Sequence, residues 1–271
     1  ERESAAAGDG PTAAEESLQS DKGTAGSGHR TDAASANDAG KAGLSVTIKL
    51  HDGSLHTVHG QRDTVEIDLS RIPLADGTCY QPILWTTEHP YLYEITVELG
   101  EDQVSSYFGL RTIAVEQHDG IPKVCLNGEP VFLHGVLDQG YFCDGIYLPA
   151  EAEEYERDIL RMKELGLNLL RKHIKIERER WYYHCDKMGM LVLQDIPSGG
   201  GPEILSWQWS YKPTLFKASW NRFRDDTPGH MNKLGAGDAC YRSEWLQNCS
   251  DIVQMFSNHP CIISWSLFNE G

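Results

Sequence analysis

Cys261-Ile262-Ile263-Ser264-Trp265-Ser266-Leu267-Phe268-Asn269-Glu270 decides how this chain is read. An apolar run of strand length closes on a hydrogen-bonding amide and an ionisable carboxylate, side by side at the strand's C-terminal end. In a barrel of alternating strands and helices, that end carries the chemistry. An earlier apolar stretch, Leu167 to Leu170, runs in the same way into Arg171 and His173. The two strand ends are therefore expected to converge on one polar pocket.

The residues upstream fit that reading. A helix with Leu246, Cys249, Val253 and Phe256 on one stripe leads into the final strand. Before it, a strand from Met190 to Gln194 follows a helix from about Glu177 to Met188, which Gly189 stops. Another helix, from about Ala150 to Leu165, carries Tyr155, Ile159, Met162 and Leu165 on one face and ends at Gly166, a left-handed cap. A hairpin turning at Asn127-Gly128 joins Val124–Leu126 to Val131–Leu133, and its second arm is expected to continue into a buried strand. Strand and helix in this rhythm mean parallel pairing through right-handed crossovers. Four such strands make the first half of a (β/α)₈ TIM barrel, assigned to residues 118–271.

Between residues 44 and 117 the period is two. Val46, Ile48 and Leu50 alternate with polar neighbours, as do Val65, Ile67 and Leu69, and then Ile95, Val97 and Leu99. Asp52-Gly53, Asp76-Gly77 and Gly100-Glu101-Asp102 supply turns between them. Short strands at such spacing predict an antiparallel immunoglobulin-like β-sandwich. Residues 1–43 hold almost no aliphatic side chain larger than alanine, so burial cannot offset ordering entropy there, and a disordered low-complexity tail is expected.

At 271 residues with 40% hydrophobic side chains, the chain has enough apolar material for two cores. Its net charge of −16 repels nucleic acid and anionic membrane but is indifferent to a neutral polyol such as a sugar. No run of 18 apolar residues occurs, so no membrane span is expected. Seven cysteines, an odd count without a C-x-x-C pair, read as thiols of a reducing compartment and argue against a zinc site. His51, His56 and His59 are scattered around a turn and read as surface side chains. The chain opens on Glu1 without a signal-peptide pattern, so its true N-terminus is expected to be missing; a cytoplasmic location is the expectation.

Five ordered motifs then carry a resemblance. Leu84-Trp85-Thr86-Thr87-Glu88-His89-Pro90-Tyr91-Leu92-Tyr93, Phe108-Gly109-Leu110-Arg111, Leu126-Asn127-Gly128-Glu129-Pro130, Asn168-Leu169-Leu170-Arg171-Lys172-His173 and the terminal Asn269-Glu270 resemble glycoside hydrolase family 2. That is the family of β-galactosidases, β-glucuronidases and β-mannosidases, and the resemblance covers roughly residues 44–271. It implies a retaining β-glycosidase that needs no cofactor, with a carbohydrate as partner; it leaves the oligomeric state open. Glu270 is similar to the general acid/base on the fourth barrel strand, and Asn269 to the amide that hydrogen-bonds the sugar 2-hydroxyl. Arg171 resembles the arginine that orients the nucleophilic carboxylate, and His173 a neighbouring substrate-facing histidine. The Arg-Lys-His spacing is one residue shorter than in the galactosidase and glucuronidase branches.

The chemistry accounts for these residue types. One protonated carboxyl assists the leaving oxygen while a second carboxylate, about 5 to 5.5 Å away, attacks the anomeric carbon. Each charge shifts the other's pKa, so the nucleophile keeps its neighbour protonated until the glycosyl ester forms. The resemblance puts that nucleophile on a later strand, beyond Gly271, and this chain alone is expected to be inactive.

Each candidate has a structural alternative. Glu270 also reads as a solvated strand-end carboxylate, Asn269 as a helix cap, His173 as a satisfied polar group, and Arg171 as half of an ion pair with Asp195 or Glu270. Asp138 and Gln139, after the first barrel strand, are further candidates to touch the sugar. Trp207, Trp209, Tyr211, Trp220 and Phe223 form either a stacking subsite or the packing of a long loop. A non-catalytic carbohydrate-binding relative on the same scaffold is the alternative function.

Overall fold

The structure, a computed structural model, describes residues 43–60, 64–198, 215, 227–233 and 235–269. The expected tail, the aromatic loop residues and Glu270 lie outside the described residues.

An antiparallel sheet comes first, ordered β2-β1-β3-β4 from β1 (Leu44–Lys49), β2 (Leu55–Gly60), β3 (Tyr93–Leu99) and β4 (Asp102–Phe108). Ile48 and Ile95 face each other across the β1–β3 ladder and are buried, so period-two patterning fixes which face is core. The expected strand at Val65–Leu69 is absent. Asp68 accepts from the Ser70 amide at 3.1 Å and caps a 3₁₀ turn, Leu69–Arg71, which drops Leu69 and Ile72 onto the same core as Ile48, Tyr80 and Tyr93. A short polar side chain offered the backbone an alternative to a ladder.

A three-stranded sheet of β5 (Ile113–His118), β6 (Ile121–Leu126) and β7 (Glu129–Pro130) connects this part to the next, and the expected boundary at 117/118 falls at the end of β5. Asn127 (φ 55°) and Gly128 (φ 82°) form the tight turn, where an amide side chain and a glycine tolerate the left-handed region.

The second unit is a parallel sheet ordered β11-β10-β9-β8, from β8 (Gly135–Asp138), β9 (Leu169–Lys172), β10 (Leu191–Asp195) and β11 (Ile262–Ser266). Helices α1 (Glu153–Glu164) and α2 (Glu179–Met188) alternate with the strands; α3 (Pro228–Lys233) and α4 (Ala239–Phe256) precede β11. Strand β8 is largely exposed rather than buried, because among the described residues β9 is its one strand neighbour. Acidic residues in the first turn of α1 (Glu153, Glu154, Glu156) and Arg161 and Lys163 in its last complement the helix dipole. Its end closes as the glycine predicts: Gly166 (φ 82°) and Leu167 return hydrogen bonds to Lys163 and Met162.

The sandwich keeps a core of its own around Ile48 and Tyr93, while Trp85, which precedes β3, belongs to the barrel core. Trp85, fully buried, packs with Ile159, Trp181, Tyr182, Leu191 and Val192, and its indole nitrogen donates to the Asp186 carbonyl at 2.7 Å. The Asp186 carboxylate, itself fully buried, accepts from Tyr107 at 2.8 Å, His259 at 2.6 Å and the Cys261 amide at 2.9 Å. Burial, with Asp186 beside it, holds the Tyr107 phenol protonated far above its ordinary range. Arg111 donates to the carbonyls of Pro260 (3.0 Å) and Ile262 (2.6 Å), which fixes the start of β11. Lys163 reaches back to the carbonyls of Thr87 and Met188 at 2.9 and 2.6 Å. Among the described residues, no helix is long and apolar enough to cross a membrane.

Candidate active site at the strand ends

Parallel register aligns Leu137, Arg171, Leu193 and Ser264 in one row, so their side chains share a face of the sheet. The next row, Asp138, Lys172, Gln194 and Trp265, shares the opposite face, where α2 packs. Arg171 therefore stands on the face away from the helices, which is the inward face of a barrel. Asp195, two residues past Leu193, returns to that face.

The Arg171 guanidinium meets Asp195 as a fork: Nε donates to Oδ1 and Nη2 to Oδ2, each at 3.0 Å. The Asp195 side chain is 1% exposed, so the pair is a charge-assisted, geometrically rigid one. Asp195 Oδ2 also accepts from the Ile174 amide at 3.2 Å. Nη2 of the same arginine donates to Asn269 Oδ1 at 3.2 Å, and His173 Nε2 lies 2.9 Å from that oxygen. Since Oδ1 can only accept, His173 donates through Nε2; its Nδ1 then accepts from Gln139 Nε2 at 3.0 Å. The result is one directed chain: Gln139 to His173 to Asn269, with Arg171 fixed by Asp195 meeting the same amide oxygen.

The loop carrying His173 is held from behind. Ile174 sits at φ 45°, a left-handed conformation costly for a β-branched side chain. Its neighbours over-determine it: the His173 amide donates to the Asp138 carbonyl at 2.9 Å, and the Ile174 amide to Asp195. On the helix-facing side, Lys172 is 1% exposed and reaches Asp138 at 2.7 Å and Glu177 at 3.1 Å, with its ammonium 4.1 Å from the Trp181 ring centroid. Lys175 joins Glu177 at 2.8 Å and the carbonyls of Gly140 and Tyr147. Burial, then the Glu177 charge, pushes the Tyr155 phenol up to about 12. Two buried lysines and a shared carboxylate thus clamp residues 172–177.

Of the residues singled out in the sequence, Arg171, His173 and Asn269 come together, and Gln139 joins them. Asp138 does not: both carboxylate oxygens are engaged, with Lys172 and with the Gly140 amide at 2.7 Å. Glu270 adjoins Asn269 but lies outside the described residues. Sequence reading missed the Lys172–Glu177–Lys175 cluster, and the signal was faint: a lysine inside an otherwise apolar strand. Asp195 was legible as a partner for Arg171, though not as a two-pronged one.

A β-sandwich joined to parallel barrel strands whose C-terminal ends gather cationic, amide and imidazole groups defines a sandwich-and-barrel protein with a polar site at the strand ends. The family model for the glycosyl hydrolases family 2 TIM barrel domain matches residues 119–271, and that for glycosyl hydrolases family 2 matches residues 20–111. The chain belongs to glycoside hydrolase family 2. It is 28% identical over 192 residues to a β-galactosidase of Thermoanaerobacter pseudethanolicus, covering 69% of this chain and 21% of that protein. It is likewise 28% identical over 241 residues to a β-galactosidase of Yersinia pestis, covering 84% of this chain and 20% of that one. The chain thus spans about a fifth of the length of these curated relatives. A β-glucuronidase structure from Ruminococcus gnavus superposes with TM-score 0.61 at 20% identity, covering 86% of this chain and 35% of that one. β-Glucuronidase 3 of Bacteroides uniformis superposes with TM-score 0.59 at 19% identity, covering 83% and 23% respectively; both likenesses are of fold.

Proposed function

We propose that this chain carries the acid/base half of a retaining β-glycosidase, acting on a β-linked pyranoside once the remaining barrel strands are joined to it. The observation that supports this reading most is the meeting of Arg171, His173 and Asn269 around one amide oxygen, directly before Glu270. With Oδ1 held by a guanidinium and an imidazole, the Asn269 amide is oriented, and its NH₂ is the group that would donate to the sugar 2-hydroxyl. That hydrogen bond strengthens as charge develops at the anomeric centre. Glu270 would protonate the leaving oxygen and later deprotonate the attacking water. Arg171, already fixed by Asp195, would hold the nucleophilic carboxylate supplied by a later strand. Asp138 supports the site through Lys172 rather than by touching sugar. The relatives' names point to galactosides and glucuronides as the first substrates to try.

The test is a nitrophenyl-glycoside screen on a polypeptide extended through the missing strands, beside the 271-residue chain. The extended protein should release nitrophenol, and Glu270→Gln should lower kcat by about 10³-fold or more, since acid/base catalysis alone contributes 10²–10⁴. Glu270-dependent turnover by the 271-residue chain would overturn the half-site reading. An extended protein that binds sugar without hydrolysis would overturn the enzymatic one.

A further inference from the structure

We propose that Glu116, His118 and Cys125 form a binding site for a divalent metal ion of the zinc class, on the hairpin that connects the sandwich to the barrel strands. The antiparallel ladder builds it. Register pairs Ala114 with Cys125 and Glu116 with Lys123, so Glu116 and His118 share a face of the hairpin with Cys125. Their donor atoms all lie within 4.8 Å of one another, and they are the one such trio among the described residues. Cys125 Sγ is 3.2 Å from His118 Nε2, which is 3.8 Å from Glu116 Oε2.

Those separations match the edges of a coordination tetrahedron. With Zn–S of about 2.3 Å and Zn–N of about 2.0–2.1 Å, tetrahedral geometry sets sulfur and nitrogen roughly 3.5 Å apart. The third edge, Sγ to the Glu116 carboxylate, lies within 4.8 Å, and the exposed Glu116 side chain would close it onto the ion. Thiolate, imidazole and carboxylate are zinc's usual donors, whereas the sulfur makes the trio a poor match for calcium or magnesium. On binding, the Sγ–H bond breaks and its proton leaves to solvent; the sulfur, the Nε2 lone pair and Oε2 each form one bond to the ion. Water completes the fourth position. The sequence hid this site because its ligands are not in a C-x-x-C spacing; the hairpin register alone assembles them.

The ion would staple β5 to β6 beside Asn127. That residue's side chain accepts from the Thr112 amide at 2.9 Å and donates to the Trp85 carbonyl at 3.0 Å. A metal here would stiffen the connector that seats Trp85 in the barrel core, away from the strand ends.

Cobalt(II) titration of the reduced 271-residue chain, followed by displacement with zinc(II), tests the site. One cobalt per chain is expected, with tetrahedral d–d absorption and a thiolate-to-cobalt charge-transfer band that one equivalent of zinc bleaches. His118→Gln should weaken zinc binding roughly 100-fold, and Cys125→Ser should abolish the charge-transfer band. Because Cys125 is buried, Glu116→Gln, at an exposed side chain, serves as the variant that spares the fold; it should weaken zinc roughly tenfold. Cys240→Ser should change nothing. A weak octahedral cobalt spectrum, or equal zinc affinity in the parent, His118→Gln and Glu116→Gln chains, would overturn the proposal.

Discussion

Arg171 donates to Asn269 across 3.2 Å although 98 residues separate them in the chain. The contact ties the end of β9 to the residues just past β11, and Asp195 locks the same guanidinium from the end of β10. Three consecutive barrel strands therefore meet on one planar cation.

Replacing that cation exposes how much Asp195 depends on it. Arg171→Ala leaves a carboxylate that is 1% exposed with the Ile174 amide as its remaining described donor, and should cost about 3 kcal/mol in urea denaturation. Arg171→Lys keeps the charge but loses the fork, so its cost should be smaller. Equal destabilisation by both variants would show that geometry, not charge compensation, carries the pair.

Asp186 should couple the two units measurably. Tyr107→Phe removes a hydrogen bond to a buried charged acceptor and should cost about 2 kcal/mol. In an Asp186→Ala background the same change should be close to neutral. A double-mutant cycle with no coupling energy would refute the contact's energetic role.

Gly166 and Gly189 separate backbone strain from collision. Both have positive φ, but a Cβ at Gly166 meets nothing within 4 Å, whereas at Gly189 it lies 2.4 Å from the Thr87 carbonyl oxygen. Gly166→Ala should cost about 1 kcal/mol, the left-handed penalty alone. Gly189→Ala should cost about 3 kcal/mol, because sandwich backbone must move. Matching melting temperatures for the two variants would contradict this.

Alkali should destabilise the chain through its buried thiols. Burial raises the pKa of Cys185, and burial followed by hydrogen bonding with Cys185 raises that of Cys261. The folded state then keeps protons that the unfolded chain loses above about pH 8.5, so stability is full below that pH and falls as pH rises past it. Urea midpoints at pH 7 and pH 9.5 should show the fall, and Cys261→Ala should flatten it. A thiol reagent should modify the exposed Cys79, Cys143 and Cys240 in the native chain but reach Cys185 and Cys261 only in denaturant.

The barrel rhythm was legible because glycines punctuate it: Gly166 and Gly189 end their helices where expected, and β9 and β10 begin within two residues of prediction. Arg171, His173 and Asn269 were legible as a group because each follows an apolar run. The Val65–Leu69 segment misled, since alternation alone does not reveal that Asp68 will bond the Ser70 amide. Asp186 gave no sign at all: an acid in mid-helix reads as solvent-facing until Tyr107 and His259 arrive from elsewhere in the chain. Lys172 and Lys175 were hidden for the same reason, because their compensating Glu177 carboxylate and carbonyl oxygens belong to tertiary structure.

The seating of Trp85 in the barrel core has a thermal consequence. An indole from the sandwich lies among barrel helices, and a barrel carboxylate lies against a sandwich phenol, so neither unit can melt without stripping the other. Calorimetry should record a single endotherm whose van't Hoff and calorimetric enthalpies agree, rather than the two steps a loosely tethered pair would give.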